Sequence, residues 1–363
     1  MNKSTKKWLT FLGAMLALAL VLTSCTGGGG LVQANSLTGA GGTFPLPLYT
    51  SWNYAYGNLT GVEVSYSGVG SSAGIAQITA GTVDFGASDA IMTTAQEDNA
   101  TAHGGLILHI PMTSGAVAII FNVPGFNSSG SINMTGPVLA NIFGRNITGW
   151  NDPEIVALNP SLNATSNNIT VVHRSDGSGT TYIFTNYLSK VSAWWNSTFG
   201  YGTSVAWPGD TIGAAKNAGV AAAVAANNYS IGYVELAYAV QNNLTYMVLQ
   251  NAYGNWELPT LAGTTAASQN VTLPDDMKIM ITNSPNPNAY PICGFTWILA
   301  YQNQTNPSKG LALVNYLWWC IHTGQNDTYS AALDYARLSD AAVAKAENEI
   351  RSMVYSNGTQ IHP

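Results

Sequence analysis

The chain has 363 residues, of which 46% are hydrophobic and only 8% are charged. This length and apolar content suffice for one large domain or two ordinary ones, and they exclude an intrinsically disordered chain. The net charge is −6, with 12 Lys and Arg against 18 Asp and Glu. That balance excludes a nucleic-acid-binding protein that neutralises phosphates with many cations.

The first 25 residues have the pattern of an export signal. Three lysines precede an almost wholly apolar stretch that ends in Leu22-Thr23-Ser24-Cys25. This ending is typical of a lipoprotein processing site, at which Cys25 would be lipidated and become the mature N-terminus. Residues 26–35, which begin with a glycine run, would then be a flexible tether. An uncleaved signal anchor is the alternative, and both interpretations predict an extracytoplasmic protein tethered to the outer face of the membrane.

After the tether, strand patterns alternate with helical patterns, which predicts α/β layers. Residues 250–275 are rich in Gly, Thr, Ala and Asn and are expected to form a surface excursion. The predicted strands are 62–66, 83–87, 106–110, 116–122, 168–173, 230–234, 277–281 and 295–300, and the predicted helices are 71–80, 180–188, 214–226, 309–321 and 340–355.

Asn-x-Ser/Thr sequences occur more often than the composition alone would give. Fourteen follow the signal segment, whereas chance would give roughly six for this content of Asn, Ser and Thr. The excess predicts N-glycosylation of a surface protein. A polar, Asn- and Thr-rich surface on a charge-poor protein is the alternative. The asparagines are Asn58, Asn99, Asn127, Asn133, Asn146, Asn163, Asn168, Asn196, Asn228, Asn243, Asn270, Asn303, Asn326 and Asn357.

Two cysteines remain if Cys25 is lipidated. Outside the cell, Cys293 and Cys320 would form either a disulfide or two free buried thiols. The sequence contains no CxxC, no HExxH and no Cys/His cluster, so we expect no metal site.

Four segments place Gly and hydroxyl residues where a helix should begin or a strand should end. They are 39–45, 68–74, 84–89 and 174–180. A helix N-terminus carries a partial positive charge and unpaired N–H donors, so it binds anions without lysines. Arg174 adds a planar donor that can bind in a bidentate manner. Such helix ends meeting at one cleft would enclose a tetrahedral oxyanion.

Asp89 is unusual in such a site because a carboxylate repels an anion unless a proton lies between them. Phosphate near neutral pH still carries a proton, whereas sulfate does not. An Asp89 carboxylate would therefore accept a hydrogen bond from hydrogen phosphate and reject sulfate. The alternative is that Asp89 only caps a turn.

These segments resemble the phosphate-binding proteins of Pst-type ABC importers, which belong to the periplasmic-binding-protein-like solute receptors. The resemblance implies an α/β, two-lobed fold of type II, with mixed sheets, helices on both faces and a ligand cleft between the lobes. Lobe one would comprise 36–112 plus 290–363, and lobe two 113–289. The stretches that carry the resemblance are 37–52, 64–90, 171–192 and 230–239.

The resemblance also implies what the protein does. It implies a monomeric receptor that is not an enzyme and has no cofactor. The receptor would capture inorganic phosphate and deliver it to ABC permease subunits and, through them, to an ATPase. The implied phosphate ligands are Thr43, Phe44, Ser71, Asp89, Arg174, Ser178, Gly179 and Thr180, with Asp176 orienting Arg174.

Two other readings of the site stay open at this point. A receptor for sulfate, molybdate or phosphonate would use the same helix ends but would not need Asp89. A serine hydrolase is the enzyme alternative, because residues 70–74 fit the G-x-S-x-G pattern around Ser71. No histidine in the chain lies in a recognisable triad motif.

Overall fold

Strands and helices alternate along the chain in the computed structural model, which describes residues 31–269 and 271–363. The predicted signal segment with Cys25, residues 26–30 of the predicted tether and Asn270 lie outside the described residues. The strands are β1 Ser36–Gly41, β2 Glu63–Gly68, β3 Phe85–Ser88, β4 Ile107–Asn122, β5 Asn133–Met134, β6 Thr170–Arg174, β7 Ile212–Ala214, β8 Ser230–Glu235, β9 Thr245–Tyr246, β10 Val248–Gln250, β11 Trp256–Glu257, β12 Cys293–Tyr301, β13 Asn303–Gln304 and β14 Val354–Tyr355.

The helices lie mainly between these strands, and most begin with a polar cap or a proline. Ser178, for example, caps its helix by accepting a hydrogen bond from the backbone N–H of Thr181. The helices are α1 Leu46–Thr60, α2 Ser71–Thr79, α3 Thr94–Gly104, α4 Gly136–Phe143, α5 Pro153–Leu158, α6 Gly179–Val191, α7 Ala193–Thr198, α8 Lys216–Ala226, α9 Leu236–Gln241, α10 Leu261–Ser268, α11 Pro307–Ile321 and α12 Asp340–Arg351.

The main sheet is mixed, in the order β2-β1-β3-β12-β4-β8-β6-β7, and β9 also pairs with β4. Strand β4 changes its partner in the middle. Residues Ile107–Ala116 pair with β12, whereas Val117–Asn122 pair with β8. The mixed α/β class is therefore confirmed. The lobe boundaries at 112/113 and 289/290 stay a prediction, and the change of partner in β4 lies close to the first of them.

The hydrophobic core surrounds the strands of the main sheet, and strand β4 is the clearest example. Fifteen of the 16 residues of β4 are buried, so its sequence is nearly continuous in apolar residues rather than alternating. Aromatic side chains fill the space beside the sheet: the rings of Phe143 and Phe184 lie 4.7 Å apart, and those of Phe184 and Tyr233 lie 4.5 Å apart. Such buried rings hold the strands, and with them the strand ends, in fixed positions.

Some of the predicted elements differ from the structure. Residues 277–281 are not a strand, because Met277 has a φ of +51° that interrupts an extended chain. This loop is buried against the core, where the Trp297 indole donates to the Met277 carbonyl at 3.1 Å. The last helix ends at Arg351 and is followed by β14. Residues 250–275 are not only a surface excursion, because they contain α10, which buries Ala266 and Ala267.

Of the two alternatives for Cys293 and Cys320, the structure has two free buried thiols, and the disulfide is wrong. Cys293 begins β12, and its thiol donates to the Tyr290 carbonyl at 3.3 Å. Cys320 lies on α11 beside Tyr316. The two cysteines occupy different elements with different neighbours, so each behaves as a small apolar core residue.

The last residues of the predicted tether pack against helix α11. The Gln33 side chain accepts a hydrogen bond from Asn315 at 2.7 Å, and the Ala34 N–H donates to the Ser308 carbonyl at 2.9 Å. Among the helices of the described part of the chain, none combines the length and apolarity that a membrane crossing requires.

Candidate functional site

The four segments singled out from the sequence meet at one place in the fold. Thr43 and Phe44 lie in the turn between β1 and α1, and Ser71 is the first residue of α2. Asp89 follows the end of β3, and Ser178 and Gly179 begin α6. All of these residues are buried. The site therefore consists of helix N-termini and a strand end that face one another.

Ser71, Asp89 and Gly179 are in direct contact. The Ser71 Oγ accepts a hydrogen bond from the Gly179 N–H at 3.0 Å and another from the Asp89 N–H at 3.3 Å. It also lies 3.4 Å from Asp89 Oδ2. A Cβ atom on Gly179 would lie only 2.4 Å from Asp89 Oδ2 and 2.6 Å from Ser71 Oγ. Only glycine therefore fits where the start of α6 approaches Asp89.

Asp89 is enclosed on all sides, with an exposed fraction of 1%. Its Oδ1 accepts a hydrogen bond from the Thr296 hydroxyl at 2.7 Å. Burial raises the pKa of Asp89 to about 7, against the opposing effects of the Thr296 hydrogen bond and the Arg174 charge. Near neutral pH this side chain can therefore either hold a proton or accept one in a hydrogen bond.

Arg174 and Asp176 form a bidentate ion pair. The Arg174 Nε and one terminal nitrogen donate to the two carboxylate oxygens of Asp176 at 2.7 and 2.6 Å. Partial burial alone would raise the pKa of Asp176, but the hydrogen bonds and charge of Arg174 lower it below its ordinary value. The Arg174 Nη1 lies 3.5 Å from the Thr180 hydroxyl. Asp176 therefore holds the guanidinium plane while Nη1 faces the start of α6.

Several backbone donors at the site have no protein partner. Within the described residues, the backbone N–H groups of Thr43, Phe44, Ser71 and Thr180 donate to no protein acceptor. Buried N–H groups are almost always paired in folded proteins. Four free donors beside Arg174 make a site that accepts a compact anion with several acceptor oxygens.

The sequence did not point to three further residues of the site, Asn217, Thr296 and Glu235. Asn217 is fully buried, and its amide lies between the Thr43 and Thr180 hydroxyls. Neither a glycine nor a hydroxyl run marks it. A detectable signal existed only for Thr296, which is a polar residue inside an otherwise apolar strand, and for Glu235, which is an acid at the end of one.

Glu235 caps a helix and is not on the surface. It accepts a hydrogen bond from the Ala237 N–H at 2.9 Å at the start of α9. The side chain is completely buried, and burial raises its pKa well above the ordinary value. Its Oε2 lies 3.0 Å from the Tyr335 hydroxyl, which also lies 2.6 Å from the Phe44 carbonyl. These hydrogen bonds support the turn between β1 and α1 that contains Phe44.

The G-x-S-x-G segment does not form a nucleophile elbow with a triad. The hydrogen-bond partners of Ser71 Oγ in the described residues are Asp89 and Gly179, and none is a histidine. Ser71 therefore lacks the general base that a serine nucleophile needs.

Comparison with known proteins shows that the chain is similar in sequence to phosphate-binding proteins. The profile of the PBP superfamily domain matches residues 30–317. The phosphate-binding protein PstS of Xylella fastidiosa (strain Temecula1 / ATCC 700964) is 40% identical over 313 residues, which cover 86% of this chain and 84% of the relative. The PstS protein of Methanocaldococcus jannaschii is 32% identical over 348 residues, covering 88% of this chain and 89% of the relative.

Solved structures of phosphate-binding proteins have a fold similar to that of this chain. A high-affinity periplasmic phosphate-binding protein, PfluDING, solved with bound phosphate, superposes with a TM-score of 0.71 at 23% identity, covering 86% of this chain and 93% of the other. A phosphate ABC transporter substrate-binding protein from Clostridium perfringens, also with bound phosphate, gives 0.60 at 17% identity and 84% and 100% coverage. The two-lobed periplasmic-binding-protein-like fold expected from the sequence is confirmed.

Proposed function

The chain belongs to the PstS family of phosphate-binding proteins within the PBP superfamily, and from this premise we propose that its buried site captures inorganic phosphate. The protein is a substrate-binding component for phosphate uptake, and it is a binding protein rather than an enzyme. The observation that carries the assignment of the site is the convergence of four unpaired backbone N–H donors with Arg174 and Asp89.

Each group has a role that follows from its chemistry. The N–H groups of Thr43, Phe44, Ser71 and Thr180 donate to the oxygens of phosphate, and the Arg174 guanidinium adds a charged donor. The hydroxyls contribute further donors. The residues proposed as ligands are Thr43, Phe44, Ser71, Asp89, Arg174, Ser178, Gly179 and Thr180, with Asp176 holding Arg174 in place.

Asp89 supplies specificity because its carboxylate accepts hydrogen bonds, whereas the N–H groups and Arg174 donate them. A protonated phosphate oxygen donates a hydrogen bond to the Asp89 carboxylate. Sulfate near neutral pH has no proton and cannot donate this hydrogen bond, so it leaves the carboxylate as an unpaired acceptor. The Thr296 hydroxyl donates a hydrogen bond to Oδ1 of Asp89, and Oδ2 is the oxygen that faces Ser71 and Gly179.

Titration calorimetry of the purified protein with phosphate, sulfate and arsenate tests this function. We expect saturable phosphate binding that equimolar sulfate does not displace. Asp89→Asn is expected to narrow the preference for phosphate over sulfate, because the amide can donate to either anion. Equal displacement of phosphate by sulfate in the wild-type protein would contradict the phosphate assignment and favour a general oxyanion receptor.

We also propose the cellular arrangement. The receptor is extracytoplasmic, is tethered to the outer face of the membrane through lipidated Cys25, and delivers phosphate to permease subunits driven by an ATPase. It acts as a monomer with lobes bounded near 112/113 and 289/290. Replacement of Cys25 by Ser should release the protein from the membrane fraction. Retention of the variant would favour the uncleaved signal anchor.

N-glycosylation completes the proposal, and the exposure of the asparagines supports it. Twelve of the 13 described Asn-x-Ser/Thr asparagines are exposed, whereas only eight of the 19 other described asparagines are. The exception is Asn133, which is half-buried in β5. We expect glycopeptides from the exposed positions and none from Asn133. A protein from its native cells with the mass of the unmodified chain would refute the glycan proposal.

A further inference from the structure

Asn217 occupies a position between two site threonines that lie far apart in the sequence. It is fully buried in the first turn of α8. Its Nδ2 donates to the Thr43 hydroxyl at 2.9 Å and to the Thr180 hydroxyl at 3.2 Å. Its Oδ1 accepts the Glu235 N–H at 3.0 Å. That backbone donor fixes which end of the amide carries the oxygen, so the nitrogen must face the threonines.

The hydroxyl groups can be counted atom by atom, because each has one proton and two lone pairs. The Thr43 Oγ1 accepts from Asn217 twice, from Nδ2 and from the backbone N–H at 3.4 Å. The Thr180 Oγ1 accepts from Asn217 Nδ2 and from Arg174 Nη1. Both lone pairs of each oxygen are thus engaged. Among the described residues, neither hydroxyl donates a hydrogen bond to the protein.

We propose that Asn217 is a positioning residue that turns the Thr43 and Thr180 hydroxyls into obligatory donors towards the bound oxyanion. The inference rests on the proposed phosphate function and deepens it. A hydroxyl whose lone pairs are filled by N–H groups can meet only an acceptor oxygen without repulsion. Asn217 therefore divides the site into a donor side and, at Asp89, an acceptor side.

This division constrains how phosphate sits in the site. The unprotonated oxygens face Thr43 and Thr180, and the protonated oxygen faces Asp89. Asn217 does this without touching the ligand, and it also links the turn before α1 to the start of α6. The Lys216 N–H beside it donates to Asp176 Oδ1 at 2.9 Å, which ties the start of α8 to the Arg174 pair as well.

The chain offers a matched control in Asn159. This asparagine is also buried, with an exposed fraction of 5%. Its Nδ2 likewise donates two hydrogen bonds, to the Asn133 and Ile155 carbonyls at 2.8 and 3.2 Å, and its Oδ1 accepts one from the Asn133 N–H at 2.7 Å. Asn159→Ala therefore removes the same number of amide hydrogen bonds without touching the site.

The test compares phosphate affinity by calorimetry in the wild-type protein, Asn217→Ala and Asn159→Ala, with the unfolding midpoint of each measured in parallel. We expect Asn217→Ala to weaken binding about tenfold, as loss of one hydrogen bond to a charged group does. Asn159→Ala is expected to stay within about threefold of wild type, since a buried hydrogen bond outside the site affects stability only. Equal affinities of the two variants would overturn the inference.

Two further variants separate positioning from folding. Asn217→Asp keeps the shape and the bond from Glu235 but offers acceptor oxygens to both hydroxyls, so we expect weaker binding than in Asn217→Ala. In a Thr43→Val background, Asn217→Ala should cost less affinity than in wild type. Wild-type affinity in Asn217→Asp, or full additivity with Thr43→Val, would contradict the proposal. Absence of phosphate binding in the wild-type protein would instead contradict the proposed function.

Discussion

Replacing Asp89 by asparagine should flatten the pH dependence of folding stability in the absence of phosphate. In the folded protein, burial raises the pKa of Asp89 to about 7, whereas an unfolded Asp titrates near 4. Between these values the folded state holds a proton that the unfolded state has released. The contribution of Asp89 is therefore fully present below about pH 4 and is lost as the pH rises through about 7.

The magnitude follows from the size of the shift. About three pKa units correspond to about 4 kcal/mol, at 1.36 kcal/mol for each unit. The free energy of unfolding of the wild-type protein should thus fall by up to about 4 kcal/mol through Asp89 between pH 4 and 7. In Asp89→Asn this part of the slope disappears. The amide oxygen can still accept the hydrogen bond from Thr296, so the variant is expected to fold.

Urea unfolding at a series of pH values, without phosphate, measures the difference in the free energy of unfolding between wild type and Asp89→Asn. Glu235, whose pKa burial raises well above the ordinary value, adds a fall of stability in the same direction. The effect of burial, which is the largest cause, is common to both proteins and cancels, whereas the smaller effect of the Asp89 charge on Glu235 is lost together with that charge. Parallel stability profiles of wild type and Asp89→Asn between pH 4 and 7 would refute the reasoning, because they would mean that Asp89 titrates alike in the folded and unfolded states.

Three other predictions concern packing and charge. Gly179→Ala should weaken phosphate binding at least tenfold in calorimetry, because its Cβ would lie 2.4 Å from Asp89 Oδ2; unchanged affinity would contradict that close approach. Phosphate affinity should change less than about threefold between low and moderate NaCl concentrations, since Asp176 already balances the charge of Arg174 and the Arg174 side chain is buried; a steep salt dependence would mean that free charge dominates. Cys293 and Cys320 should resist a thiol reagent in the folded protein and both react after unfolding without reductant, whereas a requirement for reductant would reveal a disulfide.

The fold was predictable wherever hydrophobic periodicity reports burial directly, and not where backbone geometry overrides it. The single strand β4 was predicted as two strands, 106–110 and 116–122. Pro111 and Gly115 interrupt its pattern, yet Pro111 lies opposite Trp297 beside a register shift in the β4–β12 pair. Such an irregularity accommodates a proline that cannot donate to the ladder.

Strand β1 was missed for a related reason. It is rich in glycine, which is unfavourable in a strand. A Cβ on Gly41 would lie 2.0 Å from the Ala87 carbonyl oxygen in the neighbouring strand β3. The same glycines that hid the strand therefore allow the close contact of β1 with β3, and so bring the turn with Thr43 next to Asp89.

The site was predictable to the extent that its parts are local. Helix caps and Gly-Ser/Thr turns are short-range signals, so Ser71, Asp89 and Ser178 could be found in the sequence one segment at a time. Asn217 acts only through groups that belong to other segments. Its function depends on the distance between Thr43 and Thr180, which the sequence does not give.

The electrostatics of the site explain why overall charge is a poor guide to an anion receptor of this kind. The buried guanidinium of Arg174 is already paired with both oxygens of Asp176. Asp89 adds a second acid. The protein groups at the site therefore carry no excess positive charge, and recognition must come from oriented donors. Backbone amides and hydroxyls are fixed in direction by the fold, so they can distinguish a protonated oxygen from an unprotonated one, which a mobile lysine cannot. A chain with few cations and a negative net charge is consistent with a specific anion site built in this way.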